Sequence, residues 1–196
     1  MALAPAVRAQ AVADFASAPA LAAAMRSAAT ALLAETPASE RGRLAFAFDD
    51  ALRADLHYTP RSRAGIAFKD TAPTQRATAR ALFEALLSVQ GLAQVNNVMA
   101  LELVLRELES GSSLRVPQNY AIALYSPPTA SEAWGWPIEG HHLSLRFTVQ
   151  GDVVVSTLPQ FVGANPALTA NAVAGQKLAA GHWMPPKTRP GPCCKA

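Results

Sequence analysis

Apolar positions along the chain change period once, near Gly111, from a helical spacing before it to alternation after it. The first 36 residues are dominated by alanine, with Leu3, Val7, Val12, Phe15, Leu21, Met25, Leu32 and Leu33 spread among them. Alanine is the best helix former, so helix is expected here, broken in two by Pro19. Ser39 is placed to cap a short helix over Arg41–Asp55, with Glu40 in its first turn. Tyr58-Thr-Pro-Arg-Ser-Arg-Ala-Gly65 reads as extended loop, because Pro60 turns Thr59 away from helix and Gly65 admits a positive φ. The next helix, Thr74–Ser88, carries an apolar stripe of Ala77, Ala81, Leu82, Ala85 and Leu86. Gly91 then sets off a longer helix, Leu92–Glu109, which Gly111 ends.

Beyond Gly111 four short β-rich runs follow: Asn119–Tyr125, Trp134–Ile138, His141–Gln150 and Val153–Leu158. Gly151-Asp152 is a two-residue turn signal that pairs the last two as a hairpin. Pro159, Gly163 and Pro166 mark a loop, and Pro166 can open a further helix, Ala167–Leu178. There are no internal repeats. Helices followed by consecutive short strands predict an α+β fold, N-terminal helices and then a small antiparallel sheet. Three segments result: an Ala-rich helical segment over 1–38, an α+β domain over 39–181, and a tail over 182–196.

At 196 residues with 51% apolar and 16% charged side chains, the chain can build a core. No apolar stretch reaches the roughly 18 residues of a membrane span. The formal charge of +3 comes from the tail, where Lys187, Arg189 and Lys195 face no acidic residue. Residues 1–181 are neutral and have no general electrostatic claim on nucleic acid or anionic lipid. Both cysteines, Cys193 and Cys194, lie in the tail, so the body has neither a disulfide framework nor thiolate chemistry. Arg8, Asp14 and Arg26 interrupt the Ala-rich start, which favours a mature cytoplasmic helix over an export leader.

Few positions point to chemistry. On a regular strand His141 and His142 project to opposite faces, so both cannot ligate one metal. His141 shares its face with Leu143, Leu145, Phe147 and Val149 and reads as a core histidine. His142 shares its face with Ser144, Arg146 and Thr148; it is either part of a solvated polar face or a metal ligand, general base or substrate contact. Trp134 and Trp136 share one face, covering the core edge or walling a ligand cleft. Glu102 falls inside the apolar arc of Val95, Val98, Met99, Leu101 and Leu105. A buried carboxylate must be paired, so Glu102 is either a partner of Arg106 or a functional group facing the sheet. Asp49, Asp50 and Arg53 form a charged cluster explained by surface pairing, while Arg61 and Arg63 can bind an anion. No phosphate loop, dinucleotide glycine signature, zinc helix motif or nucleophile elbow is present.

Several segments together resemble the bacterial family called domain of unknown function 3500. They are Phe48-Asp-Asp50, His57-Tyr-Thr-Pro60 with Arg63 and Gly65, Leu87-Ser88, Leu101-Glu102, Trp134-Gly-Trp136, Glu139-Gly-His-His-Leu-Ser144, and Pro159 with Phe161, Gly163, Asn165 and Pro166. The likeness runs from about Leu44 to Gly175, with Leu56 standing where the family pattern has tryptophan. It implies no particular activity. It does imply a longer full-length protein with more His- and Tyr-rich sequence after this point, so that the fold here is incomplete.

The tail is consistent with that implication. His182–Ala196 has no apolar period and holds Pro185, Pro186, Pro190 and Pro192, so it is expected to be disordered. Read with GC-rich codons from the third base of the His182 codon, the same stretch can encode Leu-Asp-Ala-Ala-Glu-Asp-Glu-Ala-Arg-Ala-Leu-Leu-Gln-Ser, an amphipathic helix with an acidic start. The expectation is a frameshifted front part of a longer protein; the alternative is a genuine short protein with a disordered tail. Two functions remain open. One is an enzyme-like site of His142, Glu139, Trp136 and Glu102, with Arg63 as a ligand contact and a transition metal held by His142 and by histidines of the missing part. The other is a non-catalytic domain whose cleft, lined by Trp134 and Trp136, holds a small ligand.

Overall fold

The structure is a computed structural model that describes residues 19–165. The expected helix over Ala167–Leu178, the tail and the first part of the Ala-rich segment lie outside the described residues. Helix α1 (Pro19–Glu35) starts at the proline that was expected to break it and buries Ala22, Met25, Ala29 and Leu32. That spacing of three, four and three residues is one helical face. The expected helix over Arg41–Asp55 is instead three elements: a single turn α2 (Arg41–Leu44), a strand β1 (Ala45–Phe46) and a 3-10 turn (Ala51–Ala54). Ser39 caps nothing there; the residue before α2 is Glu40, whose side chain makes no capping bond. The 3-10 turn is capped by Asp50, whose carboxylate accepts from the Leu52 N–H.

Strand β2 (Ile66–Ala67) and a second 3-10 turn (Phe68–Asp70) lead into α3 (Pro73–Leu86). Pro73 starts that helix one residue before the expected Thr74, and Gln75 reaches back to accept from the Ala72 N–H at 3.0 Å. Helix α4 (Val89–Leu108) begins before Gly91, not after it, because the Ser88 hydroxyl caps the Gly91 N–H at 3.1 Å.

The remaining strands are β3 (Ala121–Ile122), β4 (Leu124–Tyr125), β5 (Ala133–Gly140), β6 (Leu143–Gln150), β7 (Val153–Ser156) and β8 (Gln160–Val162). Strands β5 and β6 form the spine, paired from Ala133–Gln150 to Gly140–Leu143. Along the outer side of β5 lie β4 and β3, and along the outer side of β6 lie β7 and β8. β1 and β2 complete the sheet on β4 and β3. The eight-stranded sheet is mostly antiparallel, with β1–β4 parallel. The fold is α+β, and the Gly151-Asp152 hairpin joins β6 to β7.

The two faces of the spine differ. Trp134, Trp136 and Ile138 sit opposite Val149, Phe147 and Leu145, and all belong to the core together with α1, α3 and the start of α4. The other face pairs Gly135 with Thr148, Pro137 with Arg146, and Glu139 with Ser144. It is polar yet closed over: Ser144 is 0% and Arg146 5% exposed, under the segment that carries the first 3-10 turn. Among the described residues no helix is long and apolar enough to cross a membrane.

Candidate functional site

The β5–β6 connection decides where the histidines go. His141 and His142 are not on the strand: they form the two-residue turn between β5 and β6, and His142 takes a left-handed φ of 58°. The turn replaces the expected divergence with proximity, since the two rings stand edge to face with centroids 4.3 Å apart.

His141 is buried, and its Nδ1 lies 2.5 Å from Glu102 Oε1 on α4. Glu102 is 3% exposed, as the apolar arc demanded. Its partners are His141 and Arg115, whose Nη1 is 3.8 Å from Oε2; Arg106, the expected local partner, is exposed to solvent. Arg115 is fixed in turn by a two-pronged pair to Glu109, at 2.8 and 2.7 Å. Those hydrogen bonds hold the Glu109 carboxyl below its ordinary range and raise Arg115. The Tyr120 hydroxyl donates to the His141 carbonyl at 2.8 Å, and the Tyr120 ring occupies the space a side chain at Gly140 would need.

Two groups meet His141 Nδ1: Glu102 Oε1 at 2.5 Å, which accepts, and Arg115 Nη1 at 3.2 Å, which only donates. The shorter contact is the carboxylate's, and it favours a proton on Nδ1 and turns Nε2 outward. Among the described residues Nε2 has no hydrogen-bond partner. A buried carboxylate behind an imidazole with a free Nε2 is an arrangement suited to taking a proton or ligating a metal.

His142 is half-buried against Tyr58 and Phe161, with ring centroids 6.4 and 6.2 Å away. Its N–H donates to the Tyr58 carbonyl at 2.9 Å, and its own carbonyl accepts from the Gly163 N–H at 2.8 Å. A Cβ on Gly163 would stand 2.8 Å from His142 Nδ1, so the close approach of this loop needs glycine. Burial lowers the His142 pKa from its ordinary 6.5, and the nearby His141 and Arg115 push the same way against Glu102. The unfolded chain then binds that proton more readily than the folded one. Stability is therefore full above about pH 6.5 and declines as pH falls through the lower folded value. Denaturation midpoints at about pH 7.5 and 5.5 should fall less in His142→Asn, whose side chain tolerates a left-handed backbone, than in the parent.

The other expected residues are engaged elsewhere. Glu139 accepts from Ser144 Oγ at 2.6 Å and from Arg146 Nε and Nη2 at 3.0 and 2.5 Å. Arg146 continues to the carbonyls of Arg53 and Asp55, so this buried network ties the first 3-10 turn to the sheet. Arg63 donates to the carbonyls of Arg61, His57, Thr59 and Gly140, clamping its loop onto the end of β5; burial lowers its pKa. Both indoles are buried in the core, and their Nε1 atoms make no hydrogen bond. Trp136, but not Trp134, borders a cavity of about 390 Å³ whose lining includes Arg53, Tyr125, Arg146 and Thr148. Among the described residues no group of three His, Cys, Asp or Glu side chains is arranged to hold a metal ion.

Tyr58, Arg115, Tyr120 and Phe161 were not singled out in the sequence as site residues. Tyr58 and Phe161 stand within the segments that carried the family likeness, a signal that could have placed them near the histidines. Arg115 and Tyr120 sit in a polar loop and at its end, and nothing in their spacing marks them.

What the fold and turn define is an α+β domain with a carboxylate-oriented histidine at the tip of its central hairpin. The chain belongs to a family described as proteins of unknown function (DUF3500), which matches residues 18–181. No curated protein and no solved structure matches it.

Proposed function

We propose that the His141–His142 turn is a small-molecule or metal site in which Glu102 orients His141, His141 Nε2 is the working atom, and His142 is its neighbouring contact. The observation that carries this reading is the buried 2.5 Å contact between His141 Nδ1 and Glu102. A histidine kept merely for packing needs no buried carboxylate, because removing that charge from water is costly. Transition-metal ligation and general-base catalysis make the same demand on Nε2, a lone pair held in place by a partner on Nδ1.

Titration of the full chain with Co²⁺, followed by visible absorption, tests it. One site should bind, Glu102→Gln should weaken it about 10- to 100-fold, and His142→Asn should weaken it further. Binding that is unchanged in His141→Gln would remove the turn from consideration. A second reading is a non-catalytic ligand domain built on the 390 Å³ cavity bordered by Trp136. In its favour, the Tyr125 hydroxyl lining that cavity has no hydrogen-bond partner among the described residues, and burial pushes its pKa up to about 12, leaving a neutral donor.

A further inference from the structure

A second cavity, of about 370 Å³, lies between the loop before β2, the second 3-10 turn and the segment leading into β3. Its lining holds four cations, Arg43, Arg61, Arg63 and Lys69, against the one carboxylate of Asp70. The cations arrive from three separate pieces of chain: α2, the 58–65 loop and the second 3-10 turn. Arg61 is shared with Asp55 through an ion pair outside the cavity lining. The side chains of Arg43 and Lys69 make no ion pair or hydrogen bond among the described residues. Arg63 is held rigidly by four backbone carbonyls, while its Nε is buried without a partner. Neutral donors, the Ser62 hydroxyl and the Asn119 amide, lie in the same lining.

Like charges gathered around one cavity repel one another, and a buried guanidinium N–H left unpaired lacks the acceptor that such groups normally have. An anion seated among these cations offsets their repulsion. We propose that this cavity binds a small molecule through its phosphoryl group. A phosphoryl group carries close to two negative charges and several acceptor oxygens directed apart, which suits cations reaching in from three segments. A carboxylate is planar and singly charged, and one arginine fork would satisfy it. The cavity lies within the roughly 300–1,000 Å³ range of small-molecule sites, so a phosphorylated small molecule, not the bare ion, is its occupant. The site stands apart from the reading of the histidine turn, although Arg63 touches the Gly140 carbonyl that precedes it.

Calorimetric titration of the full chain at about 150 mM salt, where unspecific surface attraction is screened, tests this with pyrophosphate and citrate as probes. Pyrophosphate should bind saturably at one site, more tightly than citrate. The double variant Arg43→Gln/Lys69→Gln changes two exposed side chains and should weaken pyrophosphate at least about tenfold while leaving the thermal transition in place. Glu102→Gln should leave pyrophosphate binding unchanged, which separates failure at the histidine turn from failure here. Absence of saturable binding, indifference to the double variant, or tighter binding of citrate would overturn the assignment.

Discussion

Replacing Arg146 with methionine should destabilise the protein by about 3–5 kcal/mol, because it strands the Glu139 carboxylate in a buried position. Glu139 is 3% exposed and takes two of its hydrogen bonds from that guanidinium. The same substitution frees the carbonyls of Arg53 and Asp55, so the first 3-10 turn should loosen from the sheet. Glu139→Leu combined with Arg146→Leu removes both charges and should cost far less than the single change, since apolar replacement of a whole buried pair is often near neutral. Urea denaturation of the three proteins checks this; a single-variant loss below about 1 kcal/mol would show that Glu139 reaches water by relaxation.

Gly65→Ala is the second large effect. Gly65 has a φ of 99°, and a Cβ there would fall inside the carbonyl of Ile122, the residue that pairs with Ile66 across β2 and β3. Strain in that backbone region costs about 1–3 kcal/mol and the forced separation of the strands a similar amount again. Gly111→Ala supplies the comparison: its φ is 91° but nothing lies within 4 Å, so only the conformational part remains. Urea midpoints should therefore fall for both variants and clearly further for Gly65→Ala; equal losses would mean that β3 gives way without cost.

The sequence made these features legible to different degrees, for physical reasons. The fold class and the long helices were readable because α1 and α4 each bury a repeating face, and the β6–β7 hairpin because Gly151-Asp152 announces its turn. For α3 the helix was legible but its inner face was not: of the expected stripe Ala77, Ala81 and Ala85 are exposed, and Gln75, Ala79, Leu82 and Phe83 are the buried residues. β1, β2 and β8 were not, since two or three residues are too few for an alternation to register. Their order comes from pairing with distant strands. Asn119–Tyr125 read as one strand and is two, β3 and β4, laid end to end on β5 around Ala123. The site suffered most from a turn with no turn residues. His141-His142 lacks Gly, Asn, Asp and Pro, and its alternation continues smoothly into Leu143, so the pattern predicts a strand that begins at His141. The strand begins at Leu143 instead, and the turn before it brings the two rings together. The burial of Glu102 was legible from the helical arc, while its partner was not, because Arg115 and His141 are brought to it only by tertiary structure.

His142 is held by backbone bonds to Tyr58 and to Gly163, and Glu102 precedes His141 by 39 residues. In kinetic terms these are non-local contacts, each requiring closure of a long loop, whereas the β5–β6 hairpin that carries both histidines closes locally. The hairpin can form early with its rings still free in water. The Glu102 contact and the Tyr58–Phe161 packing close around it only when the helices and the last strand have docked. A folding intermediate of this protein would thus hold its sheet spine without its histidine site, and the ring signals of His141 would report the last stage of folding, not the first.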